Sequence, residues 1–114
     1  MDSTDSPLAT TAGSMTLAGS REYLLSILTQ AKLNRKGLPA LEEAVSTWRR
    51  RVELAAKAGD SALEMAARTE HQAAQDKLAK ILAETESLEA EARALHKKLP
   101  VIAASERSID PDLL

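Results

Sequence analysis

Apolar residues recur along this chain at alternating steps of three and four, the spacing that places side chains on one face of an α-helix. One such series runs through Leu41, Val45, Trp48, Val52 and Ala55. A longer one runs through Ala67, His71, Ala74, Leu78, Ile81, Thr85, Leu88, Ala92, Leu95 and Leu99. Steps of four and three are those of a coiled-coil seam. We therefore predict a seam whose large residues are Leu41, Val45, Trp48, Val52, Leu78, Ile81, Leu88 and Leu95.

Helix-breaking residues divide this pattern into three predicted helices. Ser20 is a candidate N-cap for a helix over 20–36 that buries Leu24, Leu28 and Ala31, with Leu25 and Ile27 widening its apolar stripe. Gly37 and Pro39 then predict either a restart or a kink, so the next helix spans 39–58. The third spans 61–99, and Pro100 terminates it.

A turn is predicted at Gly59, Asp60 and Ser61. Glycine accepts the left-handed conformation that follows a helix, and Asp60 or Ser61 can cap the helix after it. Folding at Gly59 sets residue i against a residue near 119 minus i, so that Leu41 faces Leu78. The predicted fold is all-α: a long antiparallel helical hairpin, or coiled coil, with a kinked first arm.

The two ends of the chain differ from the hairpin in composition. Residues 1–19 are rich in Ser, Thr, Gly and Ala, too poor in large apolar groups to offset the entropy of ordering, so we predict a disordered N-terminal tail. Residues 100–114 form a C-terminal tail or the start of a further helix, with Asp110 as its cap and Pro111 at its first position. The hairpin itself spans 20–99.

A two-layer hairpin of this composition predicts self-association. Ala, Leu, Glu, Lys and Arg dominate, and the only aromatic residues are Tyr23 and Trp48, a composition typical of long helices instead of a thick core. We expect partner helices, most simply from other copies of the chain. A second apolar stripe off the seam contains Leu54, Leu63, Met65 and Leu82.

Charge and cysteine content exclude several classes of function. The 15 basic and 17 acidic residues are interspersed and sum to a net charge of -2, which disfavours nucleic-acid binding. The chain has no cysteine and therefore no disulfide, zinc thiolate or cysteine nucleophile. No run approaches the roughly 18 to 20 apolar residues that span a bilayer. We expect a cytoplasmic protein, with a peripheral membrane location left open.

The residues that could do chemistry are isolated from one another. His71 has no second histidine four residues on, His96 fits a position near a helix C-terminus, and the acidic residues of "ETESLEAEA" scatter over a solvated helix face. We predict no enzyme activity, catalytic residue, metal site, cofactor or small-molecule substrate. Arg49, Arg50 and Arg51 are candidate contacts for anionic lipid or a protein partner, although a solvated face is the plainer interpretation.

The stretch "WRRRVELAAKAGDSALEMAA" resembles the hairpin segment of the phage-shock-protein A family, part of the ESCRT-III-like superfamily. Family members carry an aromatic residue, an "ELA" run, a turn glycine, a leucine soon after it and an Ala-rich helix start. The matching positions are Trp48, Glu53, Leu54, Ala55, Gly59, Leu63, Ala66 and Ala67. The resemblance covers about residues 41–99. It departs at Asp60, Ser61 and Ala62, where the family commonly has arginine and then acids.

This resemblance implies a bacterial-type, self-assembling coiled-coil scaffold of membrane stress or membrane maintenance. In the family, the hairpin also binds an AAA+ transcriptional activator, so both roles are binding and assembly. The alternative is a soluble coiled-coil adaptor or export-chaperone-like protein that holds a partner protein's helix. The expected partners are thus copies of the chain, together with an anionic membrane surface or a protein.

Overall fold

The computed structural model describes residues 16–108, and this part of the chain is all-α. Helix α1 spans Leu17–Lys57 and helix α2 spans Ser61–Ser108, joined by a tight turn. No strand occurs within residues 16–108. The predicted fold class, an all-α helical hairpin, is confirmed. The predictions for residues 1–15 and for the Asp110 cap lie outside the described residues.

Helix α1 begins earlier than predicted, because Thr16 caps it in place of Ser20. The Gly19 amide donates to Thr16 Oγ1 at 3.0 Å, and the Ser20 amide donates to the Thr16 carbonyl at 2.8 Å. The first bond gives a partner to an amide that has none within the helix, and the second is the first backbone hydrogen bond of α1. Ser20 lies inside α1 and is fully buried. The predicted cap at Ser20 is therefore wrong, and so is the prediction that residues 17–19 belong to the tail.

Pro39 lies inside α1, and of the two predicted alternatives the restart is wrong. Proline has no amide hydrogen to bond the preceding turn, and in a helix interior it costs about 3 kcal/mol. The helix nevertheless continues from Leu17 to Lys57. Residues before and after Pro39 are buried or half-buried at one unbroken spacing, namely Ala31, Asn34, Leu38, Leu41 and Val45. Packing of this stripe offsets the local penalty.

The continuity of α1 also changes which residues are buried near its start. Ile27 is buried and Leu28 is 46% exposed, whereas the predicted stripe used Leu28 and gave Ile27 a marginal place. Counting back from Leu41 in steps of three and four leads through Leu38 and Ala31 to Ile27. In a continuous helix the buried residues keep the same spacing throughout. The seam after Pro39 therefore determines which face is buried before it.

Helix α2 continues through Pro100, so the end predicted at Leu99 is wrong and residues 100–108 belong to the helix. Ile102 and Ala103 beyond the proline are half-buried. The Leu17 amide at the start of α1 donates to Glu106 Oε2 at 2.7 Å. The last part of α2 is therefore partly buried and is hydrogen-bonded to the start of α1.

The described residues form two compact units, and each pairs a segment of α1 with a segment of α2. Unit 1 pairs residues 17–29 with 88–108, and its buried residues are Ser20, Ile27 and Ala92. Unit 2 pairs residues 30–57 with 61–87 through the turn, and its buried residues are Ala31, Leu38, Ala55, Ala67 and Thr85. Small side chains dominate both interiors, which leaves many larger apolar groups only partly covered.

Candidate functional site

The turn between the helices begins with a left-handed glycine. Gly59 has a φ of 74°, a backbone conformation that is strained for residues other than glycine. The Asp60 amide donates to the Ala55 carbonyl at 3.1 Å, and the Gly59 amide donates to the Ala56 carbonyl at 3.1 Å. These two bonds form a Schellman motif, which satisfies the last carbonyls of α1.

Asp60 also caps α2, so one residue closes the first helix and opens the second. Its Oδ1 accepts a hydrogen bond from the Leu63 amide at 3.0 Å, and its carbonyl accepts from the Glu64 amide at 2.9 Å. Ser61 is the first residue of α2. Of the two caps left open by the sequence, Asp60 holds the position.

An apolar groove of about 470 Å³ lies in unit 2 beside this turn, and we call it the turn groove. Leu54 of α1 and Leu63 of α2 line it and are 61% and 56% exposed. Its other lining residues are Trp48, Arg51, Ala55, Ala58, Asp60, Ala66, Ala67 and Glu70. Met65, also predicted in the second stripe, is 70% exposed, whereas Leu82 is half-buried.

The three consecutive arginines occupy different environments. The Arg51 guanidinium lies over the Trp48 indole, 4.6 Å from the ring centroid, in a cation–π contact. Arg49 and Arg50 are exposed. Arg51 therefore packs on the half-buried tryptophan at the turn groove while remaining exposed to solvent, as Arg49 and Arg50 are.

A second apolar groove of about 440 Å³ lies in unit 1, and we call it the Leu28 groove. Leu24 and Leu28 of α1 and Ala92 of α2 line it, with Glu89, Arg93, His96 and Lys97 of α2 completing the lining. Sequence reasoning did not single out this groove. The available sequence pattern was Arg93 and Lys97 four residues apart on a helix, which places both on one face.

Tyr23 and Glu91 connect the two helices of unit 1. The phenolic hydroxyl donates to Glu91 Oε2 at 2.5 Å. This hydrogen bond, helped by burial and by the negative charge of Glu91, raises the pKa of Tyr23 to about 12. The contact was not predicted from the sequence, because it depends on how the helices pair.

The predicted seam residues are all half-buried. Leu41, Val45, Trp48, Val52, Leu78 and Ile81 lie in unit 2, and Leu88 and Leu95 lie in unit 1. His71 is half-buried in the same series, and its buried Nε2 has no hydrogen-bond partner within the described chain. Among residues 16–108, no group of three or more His, Cys, Asp or Glu residues could hold a metal ion.

Neither α1 nor α2 contains a stretch that is long and apolar enough to cross a lipid bilayer. Comparison with protein-family models, curated proteins and solved structures finds no match to this chain.

Proposed function

We propose that the protein is a non-enzymatic coiled-coil scaffold of phage-shock type, which assembles with copies of itself in membrane stress or maintenance. The observation that supports this proposal is the exposure of large apolar side chains in both units. Leu54, Leu63 and Met65 in unit 2, and Leu25 and Leu28 in unit 1, are all about half or more exposed. Patches of this kind are typical of surfaces that bind another protein or a membrane.

The composition of the interior supports the same proposal. The largest fully buried side chains are Thr85 and Ser20, and most other buried residues are alanines. Burying a fully exposed leucine side chain contributes about 1.5 to 3 kcal/mol to stability. The exposed leucines of this two-helix surface do not make that contribution. A third layer supplied by another copy would provide it.

A peripheral role at membranes is the second part of the proposal. Arg49 and Arg50 are exposed next to the half-buried Trp48, and a basic residue near an anionic membrane surface contributes about 1 kcal/mol to binding. The resemblance of residues 41–99 to the phage-shock hairpin supports the same assignment. Assembly and lipid binding are separable and need separate measurements.

Sedimentation velocity and light scattering across protein concentration test assembly. We expect the mass to increase with concentration, and we expect Leu54→Asp combined with Leu63→Asp to reduce it. Ala79→Asp, at an exposed alanine of α2 outside both grooves, is the matched control. A wild-type monomer at every concentration would contradict the scaffold.

Co-sedimentation with vesicles tests the membrane part. We expect more protein to pellet with anionic than with neutral vesicles, and less after Arg49→Glu with Arg50→Glu. Equal pelleting with both vesicle types would contradict a role for these arginines.

An adaptor that holds a partner protein's helix is the second candidate, and the Leu28 groove favours it. A groove between two helices with an apolar floor is the usual seat for an amphipathic helix. A protein that neither assembles nor binds vesicles would favour this adaptor over the scaffold.

A further inference from the structure

We propose that copies of this chain assemble head to tail, with the turn groove of one copy seated on the Leu28 groove of the next. The inference rests on the proposed self-assembly and specifies its geometry. Both surfaces belong to every copy but differ from each other, so the contact is heterologous. Heterologous contacts generate open chains, or rings where the rotation closes.

The Leu28 groove has a predominantly basic rim. Arg93 and Lys97 lie one turn apart on α2, against a single acid, Glu89, in the lining. His96 completes the rim and is exposed. The apolar floor comes from Leu24, Leu28 and Ala92.

The turn groove has the opposite charge balance. Two acids, Asp60 and Glu70, line it against a single base, Arg51, which packs over the Trp48 ring. Its apolar floor comes mainly from Leu54 and Leu63, which are both more than half exposed. The two grooves are therefore alike in apolar character and similar in volume, and opposite in the sign of their majority charge.

This complementarity selects among the possible pairings. Two turn grooves face to face would bring together four acidic and two basic residues in total. Two Leu28 grooves would bring together four basic and two acidic residues. One turn groove facing one Leu28 groove brings together three acidic and three basic residues, so the charges balance. Like charges placed across an interface disfavour the wrong pairing, so the unlike pair is preferred.

The same charges favour a second copy over a membrane as the occupant. An anionic bilayer would attract the rim of Arg93 and Lys97 but would repel Asp60 and Glu70 at the turn groove. A second copy covers the apolar floors of both grooves and meets the charges of both.

Mixing two variants, each blocked on one surface, tests the proposal. Leu28→Asp blocks the Leu28 groove and leaves the turn groove intact, and Leu63→Asp does the reverse. Both leucines are about half exposed, so neither change removes a core residue, and circular dichroism checks the helix content. We expect each variant alone to be monomeric and an equimolar mixture to form a discrete dimer in sedimentation velocity.

The outcomes separate this inference from the proposed function. If the wild type assembles but the mixture stays monomeric, or if either variant alone still assembles like wild type, the head-to-tail geometry is overturned while self-assembly stands. A monomeric wild type overturns both. If Leu28→Asp abolishes binding to anionic vesicles and leaves self-association unchanged, lipid is the occupant of the groove and the inference is wrong.

Charge variants give a second readout. Lys97→Glu and Glu70→Lys, each alone, should weaken assembly about two- to fivefold at low salt, and the effect should shrink as salt rises. Lys80→Glu, an exposed lysine outside both grooves, should leave assembly unchanged. Equal weakening by Lys80→Glu would assign the effect to net charge and overturn the role of the rims.

Discussion

The Tyr23 hydroxyl of α1 donates a hydrogen bond to Glu91 Oε2 of α2 at 2.5 Å. The bond requires the neutral phenol, and the pKa of Tyr23 is raised from 10 to about 12, first by this bond, then by burial and the charge of Glu91. A folded-state pKa above the unfolded value stabilises the fold below the unfolded pKa. The contribution is therefore complete below pH 10 and is lost as the pH rises through 12.

Alkaline titration tests this coupling. We expect Tyr23 to ionise near pH 12, and its absorbance can be assigned directly because the chain has only one tyrosine. The thermal stability of wild type should fall towards that of Tyr23→Phe between pH 10 and 12, and the comparison with Tyr23→Phe cancels any effect of pH that the two proteins share. Ionisation of Tyr23 at pH 10 in the folded protein would rule out the interaction.

Two glycines should respond to alanine with opposite signs. Gly59 has a positive φ and open space around it, so Gly59→Ala should destabilise by about 1 to 2 kcal/mol through backbone strain alone. Gly37 lies inside α1, also with open space, and Gly37→Ala should stabilise by about 0.5 to 1 kcal/mol. Chemical denaturation measures both changes, and a loss of stability at Gly37 would contradict the continuous helix.

Removal of the Asp60 side chain should weaken the start of α2. Asp60→Ala leaves the Leu63 amide without its acceptor and should cost about 0.5 to 2 kcal/mol, whereas Asp60→Asn should retain most of the stability. Ser61→Ala is the matched control and should change stability little, since Ser61 is already helical. A larger loss from Ser61→Ala than from Asp60→Ala would assign the cap to the serine.

Replacement of Pro39 should stabilise the protein. Pro39 is exposed inside α1, so Pro39→Ala restores a helix amide without disturbing the buried stripe. The expected gain is up to about 3 kcal/mol in the free energy of unfolding. Ala40→Ser, at the exposed position beside it, serves as a control with little expected effect. An unchanged or lower stability of Pro39→Ala would mean that the proline is accommodated at no cost.

Much of the fold could be predicted from local patterns. The heptad positions of α2 from Ala67 to Leu99 are all buried or half-buried. The turn lies at the glycine and aspartate whose conformational and capping preferences indicated it. The Leu28 groove could not be predicted in the same way, because its residues come from opposite ends of the described chain and share no local pattern.

The sequence by itself determined the helical class, the turn at Gly59 and Asp60, and the phase of the seam on either side of the turn. These features depend on backbone preferences and on spacing within one helix, which neighbouring residues in the chain define. Only the tertiary structure decided that α1 passes Pro39, that α2 passes Pro100 and that Ile27 is buried in place of Leu28. The physical reason is that a proline penalty of about 3 kcal/mol is local, whereas the packing that offsets it comes from the partner helix.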